Sequence, residues 1–132
     1  LLRSLSADEH RSAWISAVAP GDIRGGGTTV VPEYERIGLP LAGLTDEKKH
    51  LARLLIMSYL EMLPDEVIGK YERLSTDELL HGAYFSWFGA LQPGQPHYYR
   101  VDAPGFVIEM ANTQPDVFGN PANHVHALWQ SR

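Results

Sequence analysis

Two histidines near the C-terminus, His124 and His126, have a spacing that lets both imidazoles work together. On a strand, residues two apart project to the same side with Cα atoms roughly 7 Å apart, so both rings can reach one ion. The pattern permits a divalent metal such as zinc, copper or iron, and it equally permits two neutral imidazoles in separate hydrogen bonds. A metal would need a third ligand, for which Glu109 and His97 are the candidates.

Arg100 and Glu109 form the second pair of residues with catalytic chemistry. A turn over residues 102–105 that pairs Val101 with Phe106 makes them diagonal neighbours on antiparallel strands, within reach of a charge-assisted hydrogen bond. One interpretation places them in a site. Glu109 is then the third metal ligand or a general base, and Arg100 binds an anionic group or stabilises a developing negative charge. The other is an ordinary surface ion pair that contributes little stability.

Side-chain alternation along this hairpin sorts its residues onto two faces. One face is apolar and is expected to pack on helices. The other is expected to be exposed, and it carries Tyr98, Arg100, Val107 and Glu109. Three amide side chains near the histidines either orient a ligand or stabilise turns, and two aromatic rings offer stacking surface. These five residues are Asn112, Gln114, Asn123, Tyr98 and Trp129.

The elements that position these residues begin with a helix near the N-terminus. Ser6 and Glu9 have the spacing of a capping box, in which each side chain satisfies the other's backbone amide. The pattern predicts a helix over residues 7–19, because Pro20 cannot continue the hydrogen-bond ladder. An irregular connection is predicted after it from the glycines and prolines Gly25, Gly26, Gly27, Pro32 and Pro40.

Three further helices are predicted before residue 83. Thr45 can cap the second helix, in which apolar residues recur at helical spacing until Pro64. A shorter third helix starts at Pro64, with proline in the first helical position. Ser75 and Glu78 form a second capping box, and Gly82 is placed to end that helix in the left-handed conformation.

The sequence predicts strands instead of helices after residue 83. An aromatic run over residues 84–88 predicts a buried strand, in which Ser86 is interpreted as a packing residue. The segments 97–101 and 106–110 predict a hairpin, and residues 123–129 a further strand. The fold class is α+β, with N-terminal helices packed on a C-terminal antiparallel meander of about four strands. Residues 1–132 form a single domain, helical over 1–82 and β-rich over 83–132.

Composition excludes several functional classes. The net charge of −5 and the scattered basic residues argue against nucleic acid as a partner. The longest apolar stretch, residues 51–63, is interrupted by polar side chains and is far shorter than a transmembrane segment. The absence of cysteine excludes disulfides and thiolate chemistry, so any metal must use His, Asp or Glu.

The C-terminal third resembles a bacterial family catalogued as domain of unknown function 3500. The resemblance rests on four motifs in the same order and spacing, over residues 94–101, 108–109, 112–114 and 123–129. Looser similarity reaches back through residues 20–23 and 38–45, so that most of the chain is covered. Two features depart from the pattern: Ala103 precedes Pro104 where the family has glycine, and residues 115–121 lengthen the loop before the histidines.

The resemblance implies a larger context for this chain. Family members usually continue past the tryptophan, and many carry an export signal, which implies a secreted or periplasmic location. The chain is therefore either a fragment of a longer protein or a divergent member. The family name supplies no reaction, but the resemblance implies that a set of polar residues belongs to one recurring pattern: Arg100, Glu109, Asn112, Gln114, Asn123, His124, His126 and Trp129.

Three functions are compatible with these observations. The first is metal-assisted hydrolysis, with His124 and His126 as metal ligands and Glu109 and Arg100 in the roles given above. The second is a non-enzymatic module that binds a small anionic molecule through Arg100 and the two histidines. The third is a structural network that fixes the sheet within a larger assembly.

Overall fold

A computed structural model describes residues 1–27, 33 and 35–132, and its helices mostly precede its strands. The fold is α+β, as the sequence predicts. In chain order the described elements are a 3-10 turn (Leu2–Ser4), α1 (Ala7–Ala13), β1 (Trp14–Ser16), β2 (Leu39–Pro40), a 3-10 turn (Leu41–Gly43), α2 (Asp46–Leu60), α3 (Asp65–Glu72), α4 (Thr76–Leu80), β3 (Tyr84–Gly89), β4 (His97–Ala103), β5 (Phe106–Gln114) and β6 (His124–Ser131).

The first helix begins where the capping box predicts and ends earlier than expected. The Ser6 hydroxyl accepts from the backbone N–H of Glu9, whose carboxylate accepts from the N–H of Ser6 in return. Prediction of a helix as far as residue 19 was wrong, because residues 14–16 leave the helix and pair in parallel with β3. The Trp14 indole N–H donates to the carbonyl of Gly89 at 3.0 Å, so tertiary pairing outweighs local helix preference here.

The second capping box is confirmed. Ser75 and Glu78 exchange both hydrogen bonds at the start of α4. Gly82 follows that helix with a φ of 66°, the left-handed conformation that glycine adopts without strain. Thr45 is the N-cap residue of α2, as expected, although its side chain makes no capping hydrogen bond.

An apolar core lies between the helices and one face of the sheet. Ile56 and Leu60 of α2 are fully buried, as are Val101 and Ile108 of the central strands. The helices therefore cover the apolar hairpin face, as alternation predicts. Within the described part of the chain, no helix has both the length and the apolar composition needed to cross a bilayer.

Within the described residues the sheet contains six strands in the order β1-β3-β4-β5-β6, and β2 also pairs with β3. Strands β3 to β6 form the expected antiparallel meander. The two short strands β1 and β2 were not predicted, because two or three residues give no readable period.

The hairpin register differs from the predicted one by two residues. Ala103 pairs with Phe106 across a two-residue turn, which places Arg100 directly opposite Glu109. A shift of two residues keeps every side chain on its predicted face, because the strand period is two. Arg100 and Glu109 are therefore closer to each other than the predicted diagonal arrangement would place them.

The polar face of the sheet is buried, whereas exposure was expected. Residues 21–27 and 35–38, which we call the cover segment, lie against it and form neither helix nor strand. Pro32 lies outside the described residues. Beneath the cover segment, four polar side chains on β3, β4 and β5 are at most 2% exposed: Ser86, Arg100, Asp102 and Glu109.

Gly38 closes the cover segment onto β3. Its φ is +113°, and a Cβ atom placed there would lie 2.3 Å from the carbonyl oxygen of Phe85. Only glycine fits this close approach of two backbones. Leu39 then pairs with Phe85 in β2, so Gly38 sets where the cover segment meets the sheet.

Replacing Gly38 by alanine is expected to lower the free energy of unfolding by about 3 kcal/mol, because the new methyl group meets backbone in a strained conformation. Urea denaturation followed by circular dichroism measures the change. Gly43→Ala is the matched control, since a Cβ there has nothing within 4 Å. Its effect should stay within about 0.5 kcal/mol. Equal effects of the two substitutions would contradict the assigned role of Gly38.

Candidate functional site

Glu109 is the most deeply buried charged residue of the polar face, at 0% exposure. Its two carboxylate oxygens accept backbone hydrogen bonds from the cover segment: Oε2 from Arg24 N at 2.5 Å and Oε1 from Gly25 N at 3.2 Å. A carboxylate buried without partners would cost several kcal/mol, and these amides offset that cost. A Cβ at Gly25 would lie 2.7 Å from Leu128 Cδ2, so a side chain there would require the end of the Leu128 side chain to move.

Arg100 holds the other end of the cover segment. Its Nη2 donates to the backbone carbonyl of Glu35 at 2.9 Å, and its side chain lies opposite Glu109 in the register. Ser86 faces Arg100 from β3. Both predicted catalytic residues thus contact the backbone of the cover segment and lie beneath it, out of reach of solvent.

Asp102 lies on the same face and is held by the C-terminal residue. Arg132 Nη1 donates to Asp102 Oδ1 at 2.7 Å and to the carbonyl of Ala103 at 3.0 Å. The sequence predicts a turn at Asp102 and does not indicate that its charge is buried. Asp102 Oδ2 and Ser86 Oγ are buried without a hydrogen-bond partner among the described residues.

A reachable cluster lies at the edge of the polar face. His126 Nδ1 is 2.6 Å from Asp22 Oδ1, and Gln114 Nε2 donates to Asp22 Oδ2 at 3.3 Å. The side chains of His126 and Asp22 are 35% and 46% exposed. The ring of His124 stands edge-on to that of His126, with centroids 4.8 Å apart. We call Asp22, Gln114, His124 and His126 the histidine rim.

The electrostatics of the histidine rim favour a charged aspartate beside an oriented imidazole. The hydrogen bond with His126 is the main cause that lowers the pKa of Asp22, followed by the backbone amide of Ile23. An aspartate at Nδ1 selects the tautomer that carries its proton there. Nε2, on the far side of the ring, then has a lone pair that can accept a proton or bind a metal.

Three of the predicted site residues lie on the opposite, helix-covered face. His97 pairs in register with Asn112 on that face, and its ring stacks on Trp87 at 4.9 Å. Trp129 packs against Phe106 with ring centroids 4.4 Å apart. The structure therefore does not bring His97, Asn112 or Trp129 together with the histidine rim.

The remaining two predicted ligand-binding residues have packing or loop contacts. Tyr98 is 1% exposed on the polar face, edge-to-face with Phe88. Asn123 donates to the carboxylate of Asp116 at 2.7 Å, within the loop that joins β5 to β6. Hydrogen bonds from Asn120 and then Asn123 lower the pKa of Asp116 to about 2. Asn123 thus acts as a loop stabiliser in this structure.

No group of three or more His, Asp or Glu side chains within the described ranges is placed to hold a metal ion. The carboxylate of Glu109 is engaged by backbone amides, and His97 lies across the sheet. Of the predicted metal ligands, His124 and His126 are the two whose rings lie next to each other.

Asp22, the residue that orients His126, was not predicted from the sequence. The two residues are 104 positions apart. Asp22 follows Pro20 and Gly21, so its local signal was that of a turn. Only the path of the cover segment across the sheet brings it to β6, and no periodicity in the sequence encodes that path.

Comparison with protein families adds an assignment that covers the entire chain. A family model described as "Protein of unknown function (DUF3500)" matches residues 1–132. The chain belongs to this family. No curated protein and no solved structure matches this DUF3500 chain. The resemblance stated from the C-terminal motifs is thereby confirmed, and it extends to the helical region and to the cover segment.

Glu109→Gln in the DUF3500 chain is expected to lower the free energy of unfolding by about 2–3 kcal/mol, the usual worth of hydrogen bonds to a buried charge. Amide exchange at Arg24 and Gly25 should accelerate, because a neutral side-chain amide accepts these bonds less well. Glu61→Gln, at an exposed position at the end of α2, is the control and should change neither quantity. Unchanged exchange at both amides would refute the anchoring role of Glu109.

Proposed function

We propose that the histidine rim is the reactive centre of a hydrolytic domain, with His126 as general base. The observation that supports this is the 2.6 Å contact between His126 Nδ1 and Asp22 Oδ1 at a partly exposed edge of the sheet. A carboxylate-held imidazole with its second nitrogen turned away is the arrangement that general-base catalysis uses.

The proposed reaction is attack of water on a carbonyl or phosphoryl centre. His126 Nε2 removes a proton from the attacking water, and the new bond forms between that oxygen and the electrophilic atom. Asp22 retains its hydrogen bond to Nδ1 and stabilises the imidazolium that forms. The proton then passes to the leaving group as its bond to the electrophilic atom breaks. His124, whose ring lies 4.8 Å from that of His126, donates a hydrogen bond to the oxygen on which negative charge develops in the transition state.

Arg100 and Glu109 take positioning roles in this proposal. The amides held by Glu109 belong to Arg24 and Gly25, two and three residues after Asp22. Fixing that backbone fixes the aspartate against His126. Neither Arg100 nor Glu109 touches substrate, since both are at most 2% exposed.

Hydrolysis of 4-nitrophenyl acetate and of bis(4-nitrophenyl) phosphate tests the proposal. His126→Ala should lower kcat/KM for the preferred substrate about 100-fold, the lower end of what a general base contributes. Asp22→Asn should lower it about 10-fold or more, because the imidazole loses its orienting charge.

His50→Ala is the matched control, since His50 is an exposed histidine on α2. It should retain the wild-type rate, and circular dichroism should show that all variants fold. Wild-type rates no faster than buffer on both substrates would reject the proposal. So would full activity in His126→Ala.

A divalent metal at the histidine rim is a second candidate function. It is favoured by the adjacent rings of His124 and His126 and by the carboxylate at Nδ1, because metal-bound histidines usually donate their other N–H to a carboxylate. Zinc, copper or iron would suit two imidazoles, with water in the remaining positions. A bound ion would supply an activated water in place of the general base.

Metal analysis and calorimetric titration with Zn²⁺ and Cu²⁺ test this candidate. One equivalent should bind, and His124→Ala should weaken the affinity about 10-fold or more by removing one of two ligands. His50→Ala should bind as wild type does. Hydrolysis that survives a chelator would support the metal-free general base, whereas loss and recovery with added metal would support the ion. Equal affinity of wild type and a His124→Ala/His126→Ala double variant would reject the metal site.

A further inference from the structure

A cavity of about 420 Å³ lies on the face of the sheet opposite the histidine rim. We call it the aromatic pocket. Phe85, Trp87, His97 and Tyr99 line it on the sheet side, and Leu55 of α2 lines it on the helix side. Small-molecule sites usually have volumes of about 300–1,000 Å³ and mainly apolar walls, so this cavity has the size and lining of a ligand site.

Three rings in this wall are stacked in parallel across β3 and β4. The ring of Trp87 lies 4.9 Å from that of His97 with a 6° angle between planes, and 6.0 Å from that of Tyr99 with a 13° angle. Parallel aromatic rings held by neighbouring strands form a preorganised surface. A planar ring can extend such a stack at an outer ring face, and a flexible alkyl chain does so less well.

Polar groups of the aromatic pocket are few and are suited to an anion. Arg3 is the one charged side chain among the described lining residues, and neither aspartate nor glutamate lines the cavity. Tyr99 shares a hydrogen bond with Tyr59, oxygen to oxygen at 2.7 Å. Burial raises the pKa of both hydroxyls, so both remain protonated at neutral pH. Either hydroxyl can be the donor of that bond, so Tyr99 can offer its own proton to a ligand when it accepts from Tyr59.

We propose that the aromatic pocket binds a small planar aromatic acid. The ring system lies against the wall formed by Trp87 and Tyr99, and the carboxylate faces Arg3. This site is independent of the proposed function at the histidine rim, because the two lie on opposite faces of the sheet. A ligand bound there need not be a substrate of the histidines.

Isothermal titration with 2-naphthoate and its neutral analogue 2-naphthamide tests the proposal on the full chain. The acid should bind one to one with a Kd of about 1 mM or below, the affinity expected for about 13 non-hydrogen atoms. Leu55→Trp should fill the cavity and weaken binding about 10-fold or more. Arg3→Ala should weaken the acid about 5-fold and leave the amide unchanged, because only the acid carries a charge.

Leu54→Trp is the matched control for the filled pocket, since Leu54 neighbours Leu55 on α2 and is 52% exposed. It should bind the acid as wild type does, and thermal unfolding should verify that both tryptophan variants fold. Undetectable binding at 5 mM acid, or equal binding by the two tryptophan variants, would overturn the proposal. Equal affinity for acid and amide would overturn the anion assignment. A dimer that Leu55→Trp dissociates would show that a second copy occupies the cavity instead.

Discussion

One buried carboxylate joins the cover segment to the polar face of the sheet. Glu109 sits in the middle of the sheet with no solvent exposure, and its oxygens accept the backbone amides of Arg24 and Gly25. A charge in that position is tolerated only when its hydrogen bonds are satisfied, and the cover segment satisfies them. The same bonds give an irregular segment a fixed path. Asp22 lies two residues before the first of these amides, and Arg100 holds Glu35 through a separate hydrogen bond.

The two faces of the sheet are consequently covered by different kinds of interaction. Helices cover the apolar face by hydrophobic packing, and they leave a cavity at one end of it. An irregular backbone covers the other face through hydrogen bonds to charged side chains. At the edge of this cover, strand β6 brings His126 to Asp22 in partial contact with solvent.

Much of the local structure could be predicted from the sequence because it depends on neighbouring residues. Both capping boxes, the strand-rich C-terminal half and the assignment of hairpin residues to faces depend on spacings of two to four residues. Arg100, Glu109 and His126 could be selected as candidates because their types and alternation are visible within the C-terminal strands. Burial of the polar face could not be predicted, since the residues that cover it belong to a distant segment without period. Asp22 was missed for the same reason.

The route of the cover segment also determines when the histidine rim can form. The bonds from the cover segment to β5 and β6 join residues separated by 84 to 104 positions. Closing so long a loop costs chain entropy before any contact compensates for it, whereas the β3–β6 meander closes through short connections. During synthesis, Asp22 leaves the ribosome early and must wait for the last strand before it can meet His126. Assembly of the rim is therefore expected to be a late event in folding, templated by a sheet that is already formed.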